Sequence, residues 1–391
     1  MKKFVNINTT MRNFTLIFVS VLASQFNSNI AQDESICEPF NCEASYTGDA
    51  ARNFYGGIKT GNAYLGIIDL LMIINTEGLG LWKGGKVVLQ VENTHGDIPS
   101  AQLTGDIQAF DNIENGHNTY LFLAYYQQQI SNLSVTIGIN DLNADFHVTE
   151  NSCNLINSSF GIMSLAPLNL PVPIFQKTAL SSVLRYDFSE SFALQTGIYD
   201  GDPLSLDEDQ YNLNHNIGRT EGYLNITEIQ ISQSISSLNG VIKIGYQYHN
   251  WTFSSLSDST EQRTGNFGLY FLNDQDIINS GGEGLYLGTF FQFGWAPKDY
   301  NINPLYFGAG FNLSGFGQKH SNDILTFGVA HTCISDPVSD IAGSETAFEL
   351  SYILQLHTKI AIQPDFQYIL NPLAGGKKDA IVGMIRISLT G

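Results

Sequence analysis

The chain has 391 residues, 43% of them hydrophobic but only 14% charged, and a formal net charge of −19 from 18 basic and 37 acidic side chains. That hydrophobic content excludes a disordered polymer, and the acidic balance excludes nucleic acid as a partner. Asn, Gln, Ser and Thr take the place of the missing charge, and Gly (37), Phe (25) and Tyr (18) are plentiful. This mixture suits strands with one apolar face and one wet, uncharged face.

The N-terminus reads as an export signal spanning residues 1–31. Lys2, Lys3 and Arg12 supply positive charge, and Phe14 to Ala23 form a short apolar stretch. Cleavage after Ala23 or Ala31 fits, with Ala31 preferred. No later stretch of about 18 uninterrupted apolar residues occurs, so no helical span is expected. An exported chain of this kind is soluble in the periplasm, secreted, or a β-barrel. Of the four cysteines, Cys37 and Cys42 could close a small disulfide loop, and Cys153 and Cys333 could pair or stay free. Residues 32–51 read as a short periplasmic extension ahead of a single β-domain at 52–391.

Candidate strands follow in order near 52–60, 62–76, 84–94, 118–129, 132–140, 178–187, 190–199 and 221–231. They continue near 237–250, 264–273, 282–296, 303–313, 322–332, 344–354, 357–369 and 379–388. That is about sixteen, and many have the 9–11 residues that a tilted strand needs to cross a bilayer. Period-2 alternation is plain in several. Val87, Leu89 and Val91 oppose Val88, Gln90, Glu92 and Thr94. Val135, Ile137 and Ile139 oppose Ser134, Thr136, Gly138 and Asn140. Ile381, Ile385, Ile387 and Leu389 oppose Val382, Met384, Arg386 and Ser388. Trp82, Trp251, Trp295, Tyr120, Tyr125, Tyr126, Tyr306, Phe307, Tyr352 and Tyr368 lie near strand ends, where barrels place interfacial girdles. The stretch 141–177 contains Pro167, Pro171 and Pro173 and reads as a long loop. The fold class is therefore all-β, a transmembrane antiparallel β-barrel of about sixteen strands.

Catalytic and metal signatures are lacking. Gly84-Gly85-Lys86 is followed by Val87, so it is a turn opening a strand rather than a phosphate loop. His331 and Cys333 share a strand face without further ligands nearby. Asp200, Asp202, Asp207, Glu208 and Asp209 read as a solvated loop in preference to a cation site. No enzyme activity, cofactor or metal is expected.

One run carries a resemblance. Gly57 to Gly85 reads GIKTGNAYLGIIDLLMIINTEGLGLWKGG, with Tyr64 and Asp69 in the strand and Thr76 to Trp82 in the turn. It is followed by QVENTHG (90–96), Gly105-Asp106 with Gln108, Tyr125 to Gln128, DLNADF (141–146) and NSSFG (157–161). Leu184-Arg185-Tyr186, GIYDGDP (197–203), Gly294-Trp295-Ala296-Pro297 and QPDFQYILNP (363–372) complete the series. In order and spacing these motifs resemble the OprB family of carbohydrate-selective porins over roughly residues 50–391. The resemblance implies a sixteen-stranded, monomeric outer-membrane barrel that lets small neutral sugars diffuse passively through a water-filled lumen, with the lipid bilayer and lipopolysaccharide around it.

Strand parity and family position together select Asp69, Gln90, Glu92, Tyr125 and Arg185 as pore-lining candidates, with Arg185 and Glu92 at a constriction. The chain departs from the family pattern at Ile139, where a basic residue is usual, at Leu168 to Pro173, and at its non-aromatic end, Leu389-Thr390-Gly391. The Ile139 departure motivates an alternative, a general or cation-favouring pore. An alternative of another class is a secreted glycan-binding β-sandwich.

Overall fold

In the computed structural model the structure describes residues 38–391, apart from 216–221, 236, 283, 318–321, 337–342 and 375–377. Sixteen antiparallel strands form one closed barrel. They are β1 (Phe40–Tyr55), β2 (Gly61–Asn75), β3 (Gly85–Gly96), β4 (Asn118–Ile130), β5 (Leu133–Asn140), β6 (Ala179–Ser189), β7 (Phe192–Asp200) and β8 (Tyr223–Ile235). Then come β9 (Leu238–Ser254), β10 (Gln262–Asn279), β11 (Tyr286–Trp295), β12 (Leu305–Ser314), β13 (Ile324–Cys333), β14 (Ser344–His357), β15 (Ile360–Leu370) and β16 (Ala380–Thr390). Each strand pairs with its sequence neighbours, and β16 returns to β1 from Ser45↔Thr390 through Asp49↔Arg386 to Tyr55↔Ile381. Closure leaves no edge, so every ladder group can be satisfied inside a hydrocarbon slab. It also overturns the β-sandwich alternative, which needs two open sheets.

All sixteen strands match expected segments, but the first begins at Phe40 rather than at residue 52. Residues 40–51 are therefore barrel wall, not periplasmic extension. The segment Asn41 to Tyr46 is polar enough to read as a tail. It is held as a strand by pairing with Ile68 to Ile73 of β2, a stretch apolar except for Asp69. The proposed signal segment and Cys37 lie outside the described residues, while Cys42, Cys153 and Cys333 form no disulfide with one another. No helix among the described residues is long and apolar enough to cross a membrane.

Alternation sorts the side chains as the pattern implies. Ile385, Ile387 and Leu389 face outward and are exposed, whereas Met384 and Arg386 face inward and are buried. The outer surface carries Ile68, Leu70, Val91, Ile137, Leu184, Ile198, Ile244, Phe291 and Leu350 as an apolar coat. Among the ten expected girdle aromatics, Trp82, Trp251, Trp295 and Phe307 are exposed, but Tyr120, Tyr125 and Tyr306 are buried inside the barrel. For Tyr120 and Tyr125 the reason is a bulge. Gln90 faces Leu123 and Val91 faces Leu121, so Phe122 is an extra residue in β4. Five positions apart, two residues of a regular strand would sit on opposite faces; the bulge puts both inside.

The long connections 97–117, 141–178 and 201–222 leave from one end of the barrel, with both chain termini at the other. Bacterial barrels keep short turns on the periplasmic side and long loops outside. The connection 141–178 turns inward and fills much of the lumen. Its Leu142, Phe146, Leu155, Phe160, Ile162, Met163, Leu165 and Leu170 pack on wall residues Val183, Tyr199, Ile226, Tyr270, Leu272, Phe290 and Tyr306. Wall glycines make the seat: a Cβ on Gly328 would lie 2.5 Å from Leu155 and 2.7 Å from Phe160.

Candidate functional site

The inward loop is built from two capped turns. Asp141 accepts from the Asn143 N–H at 2.9 Å and starts the helical turn Leu142–Asp145. Asn157 accepts from the Ser159 N–H at 3.1 Å and starts Ser158–Gly161. Both are favoured N-cap residues, which is why DLNADF and NSSFG turn where they do.

Wall carboxylates then hold the loops by their backbones. Asp274 on β10 accepts from the N–H groups of Glu150 and Asn151 at 2.9 and 3.0 Å. Glu349 on β14 accepts from Ile156 and Asn157 at 2.6 and 2.9 Å. Glu345 takes Ile107, Gln108 and Leu373. Wall donors meet the loop carbonyls: Lys243 Nζ on Val148 at 2.8 Å, Gln363 on Asn154 at 2.9 Å, Gln367 on Phe110 at 2.8 Å and Gln292 on Phe160 at 2.9 Å. Buried backbone needs such partners, and charge-assisted bonds are the stronger kind.

The connection 97–117 is fixed from the seam. Arg386 on β16 makes a two-pronged contact with Asp49 on β1, Nε to Oδ1 at 2.9 Å and Nη2 to Oδ2 at 2.7 Å. The same Nη2 reaches Asp111 at 3.3 Å and Asn112 at 2.8 Å. One guanidinium thus ties first strand, last strand and loop together.

Between the two inward connections lies a cavity of about 440 Å³, lined in part by Gln108, Asp111, Asn112, Glu114, Phe175 and Gln176. A volume of that order has room for roughly fifteen waters. Burial pushes the Glu114 carboxyl up to about 7, against the pull of its bond from the Ser100 N–H.

The five sequence candidates all point into the barrel, but not to one place. Asp69, Gln90 and Glu92 meet: the Gln90 amide bridges Asp69 Oδ1 at 3.0 Å and Glu92 Oε1 at 3.2 Å. Ser45 completes Asp69 Oδ2 at 3.3 Å, and Tyr120 completes Glu92 Oε2 at 2.6 Å. Every carboxylate oxygen of this group has a donor. Tyr125 stands on the same wall, in an apolar cluster with Ile73, Val88 and Phe122.

Arg185 is elsewhere, near the periplasmic turns, where it bonds Gln230 at 2.8 Å and Gln195 at 3.2 Å and pairs with Asp187 at 2.9 Å. Arg185 and Glu92 therefore do not meet at a constriction. Burial lifts the Asp145 carboxyl of the inward loop to about 6, against the bond from Asn140 and the charges of Arg185 and Lys86, which draw it down.

Ile139 pairs across the ladder with Ala124 and Leu180 on the outward parity. The substitution that motivated a cation-favouring pore is thus outside the lumen. Sequence reasoning also missed Arg386, Asp111, Asp145 and the tethering acids Asp274, Glu345 and Glu349. Parity could have flagged Arg386, Glu345 and Glu349, since each falls on the inward face of an alternating strand. Asp111 and Asp145 belong to loops, where alternation carries no signal.

A closed sixteen-stranded barrel with a polar, loop-narrowed lumen defines an outer-membrane diffusion porin. More particularly, residues 59–390 match the model of the carbohydrate-selective porin, OprB family, and the chain belongs to that family. It is a non-enzymatic outer-membrane channel for carbohydrates. The high-pH structure of Pseudomonas putida OprB is similar at 18% identity with a TM-score of 0.82, covering 90% of this chain and 94% of that one. The low-pH structure of the same protein gives 16% and 0.59, covering 90% and 93%. OmpT of Vibrio cholerae lacking its loop L8 gives 9% and 0.52, covering 90% and 100%. At these identities the structures speak for the fold alone. No curated protein matched the sequence.

Proposed function

We propose that this channel is a monomer that passes small neutral sugars of about one ring at a time. The observation that carries this reading is the lumen itself: two connections folded inward and tethered to the wall narrow it, with a largely apolar cavity of about 440 Å³ between them that carries a few polar side chains. Passage needs weak, replaceable contacts, because tight binding stalls a solute. The closed Asp69–Gln90–Glu92–Tyr120 group shapes the field of its wall with its oxygens already paired. Arg185, half-exposed to the lumen, offers guanidinium donors to passing hydroxyls. Tyr125 stiffens the wall beneath the loops. The barrel closes within one chain and its core comes from that chain's own loops, which supports the monomer; its outer coat meets lipid and lipopolysaccharide.

Liposome swelling with sugars of graded size tests this reading. Monosaccharides should enter several-fold faster than disaccharides through the reconstituted protein. Equal rates for both would contradict it, and a mass in detergent corresponding to more than one chain would overturn the monomer.

A further inference from the structure

Two cations stand on the outer wall where β16 meets β1. Arg52 lies near the end of β1 and Lys378 just before β16, at the end of the barrel that carries the long connections. Both are exposed. The Arg52 guanidinium lies 5.5 Å from the Phe54 ring centroid and donates to Asn62 Oδ1 at 2.8 Å. The Lys378 ammonium lies 5.9 Å from the Tyr55 ring centroid. Gly383 makes the seat for Phe54, since a Cβ there would come within 2.8 Å of its ring. Ring contacts of this kind hold a cation in place without neutralising it. Neither cation forms an ion pair with a described residue. Asp379, beside Lys378, is already engaged by the Tyr368 hydroxyl at 2.9 Å and the Asn371 N–H at 3.0 Å.

Their height decides what they face. On the outward face of β2 an apolar run climbs from Ile74 through Leu70 and Ile68 to Tyr64. At an ordinary barrel tilt that run rises about 25 Å, the height of the apolar band of an outer-membrane barrel. Asn62, the next outward residue, is the one that holds Arg52. The guanidinium therefore sits just above the hydrocarbon, at the headgroups of the outer leaflet. In a chain of net charge −19, two uncompensated cations at that level are complementary to phosphate.

We propose that Arg52 and Lys378 bind a lipid A phosphate of lipopolysaccharide, with Phe54 and Tyr55 packed against the sugar and first acyl carbons. The inference deepens the lipopolysaccharide contact of the proposed function and rests on the outer-membrane placement of the barrel, not on sugar passage.

The test uses the full-length protein purified in detergent, with bound lipid counted by native mass spectrometry. Three lipids are compared: diphosphoryl lipid A, the same lipid A stripped of its phosphates, and phosphatidylglycerol. The wild type should retain diphosphoryl lipid A in preference to the other two. The double variant Arg52→Gln with Lys378→Gln should lower that retention about tenfold, the order expected for two cations at an anionic surface. Lys359→Gln removes an exposed cation at the opposite end of the barrel and should leave retention as it is. If the double variant fails to give the folded, fast-migrating gel band, Arg52→Gln alone should still lower retention. Equal retention of lipid A with and without phosphate, or retention indifferent to Arg52 and Lys378, overturns the site. Equal retention of phosphatidylglycerol overturns lipid A as its occupant. Selective lipid A retention by a wild type whose conductance ignores every sugar overturns the sugar reading and leaves the lipid site standing.

Discussion

Arg386 sits in a lumen wall with 4% of its side chain exposed, opposite an Asp49 that is fully buried. Breaking a buried pair by removing one partner strands the other charge and costs about 3–5 kcal/mol. Arg386→Met should therefore lower the temperature at which the folded, fast-migrating gel band is lost. It should also raise channel conductance, because Asp111 loses its anchor. Asp49→Asn combined with Arg386→Met should recover part of the thermal loss but not the conductance change, since Asp111 is still left without its guanidinium. Equal melting of all forms would show that the seam is held by its ladder alone.

His147 gives a pH prediction at the same scale. It is fully buried in the inward loop, stacked on Tyr270 at 3.9 Å, and bonded to Gln247 at 3.0 Å. Burial lowers its pKa from 6.5 to about 4. Between those values the released loop binds a proton that the packed loop refuses, so packing gains stability as pH rises and loses it as pH falls from about 6.5 towards 4. Burial moves Asp141 the other way, up to about 7, and its contribution is present in acid and lost as pH rises towards 7. The two oppose each other in one window. His147→Phe keeps a ring over Tyr270 and removes the titration, so the loop should resist proteolysis in mild acid longer than in the wild type. Identical acid sensitivity would assign loop release to other groups.

At the scale of elements, the loop 141–178 is a second core packed inside a sheet. Its position depends on backbone N–H groups received by Asp274 and Glu349 and on the depression at Gly328. Hydrogen bonds to charged groups contribute about 1.5–3 kcal/mol each. Glu349→Ala, which removes two, should enlarge the mean single-channel conductance and add gating noise. Gly328→Val should do likewise, by collision with Phe160 rather than by loss of a bond. A quiet, unchanged conductance in both would mean that apolar packing alone fixes the loop.

The strands were legible because alternation is a local property. Val87 to Thr94 and Ile381 to Leu389 display both faces in a few residues. The start of the barrel was not, because Phe40 to Ser45 is a strand only by virtue of its partner β2. The bulge at Phe122 was equally silent, being defined by two strands at once. For the site, parity put Asp69, Gln90, Glu92, Tyr125 and Arg185 on the right face but said nothing about height along the barrel. That is why Arg185 and Glu92 were paired in sequence and stand apart in space. The loop residues Asp111 and Asp145 gain their roles only once the loops turn inward.

For the whole molecule, a closed barrel with a narrowed lumen should conduct and recognise sugars in passing. Single-channel recording of the purified full-length protein in planar bilayers, with neutral mono- and disaccharides titrated into salt, tests it most directly. The expected result is a stable conductance that falls saturably with a monosaccharide and responds weakly to disaccharides. A conductance indifferent to every sugar would contradict it and leave a general porin, and no conductance from well-folded protein would contradict the open lumen itself.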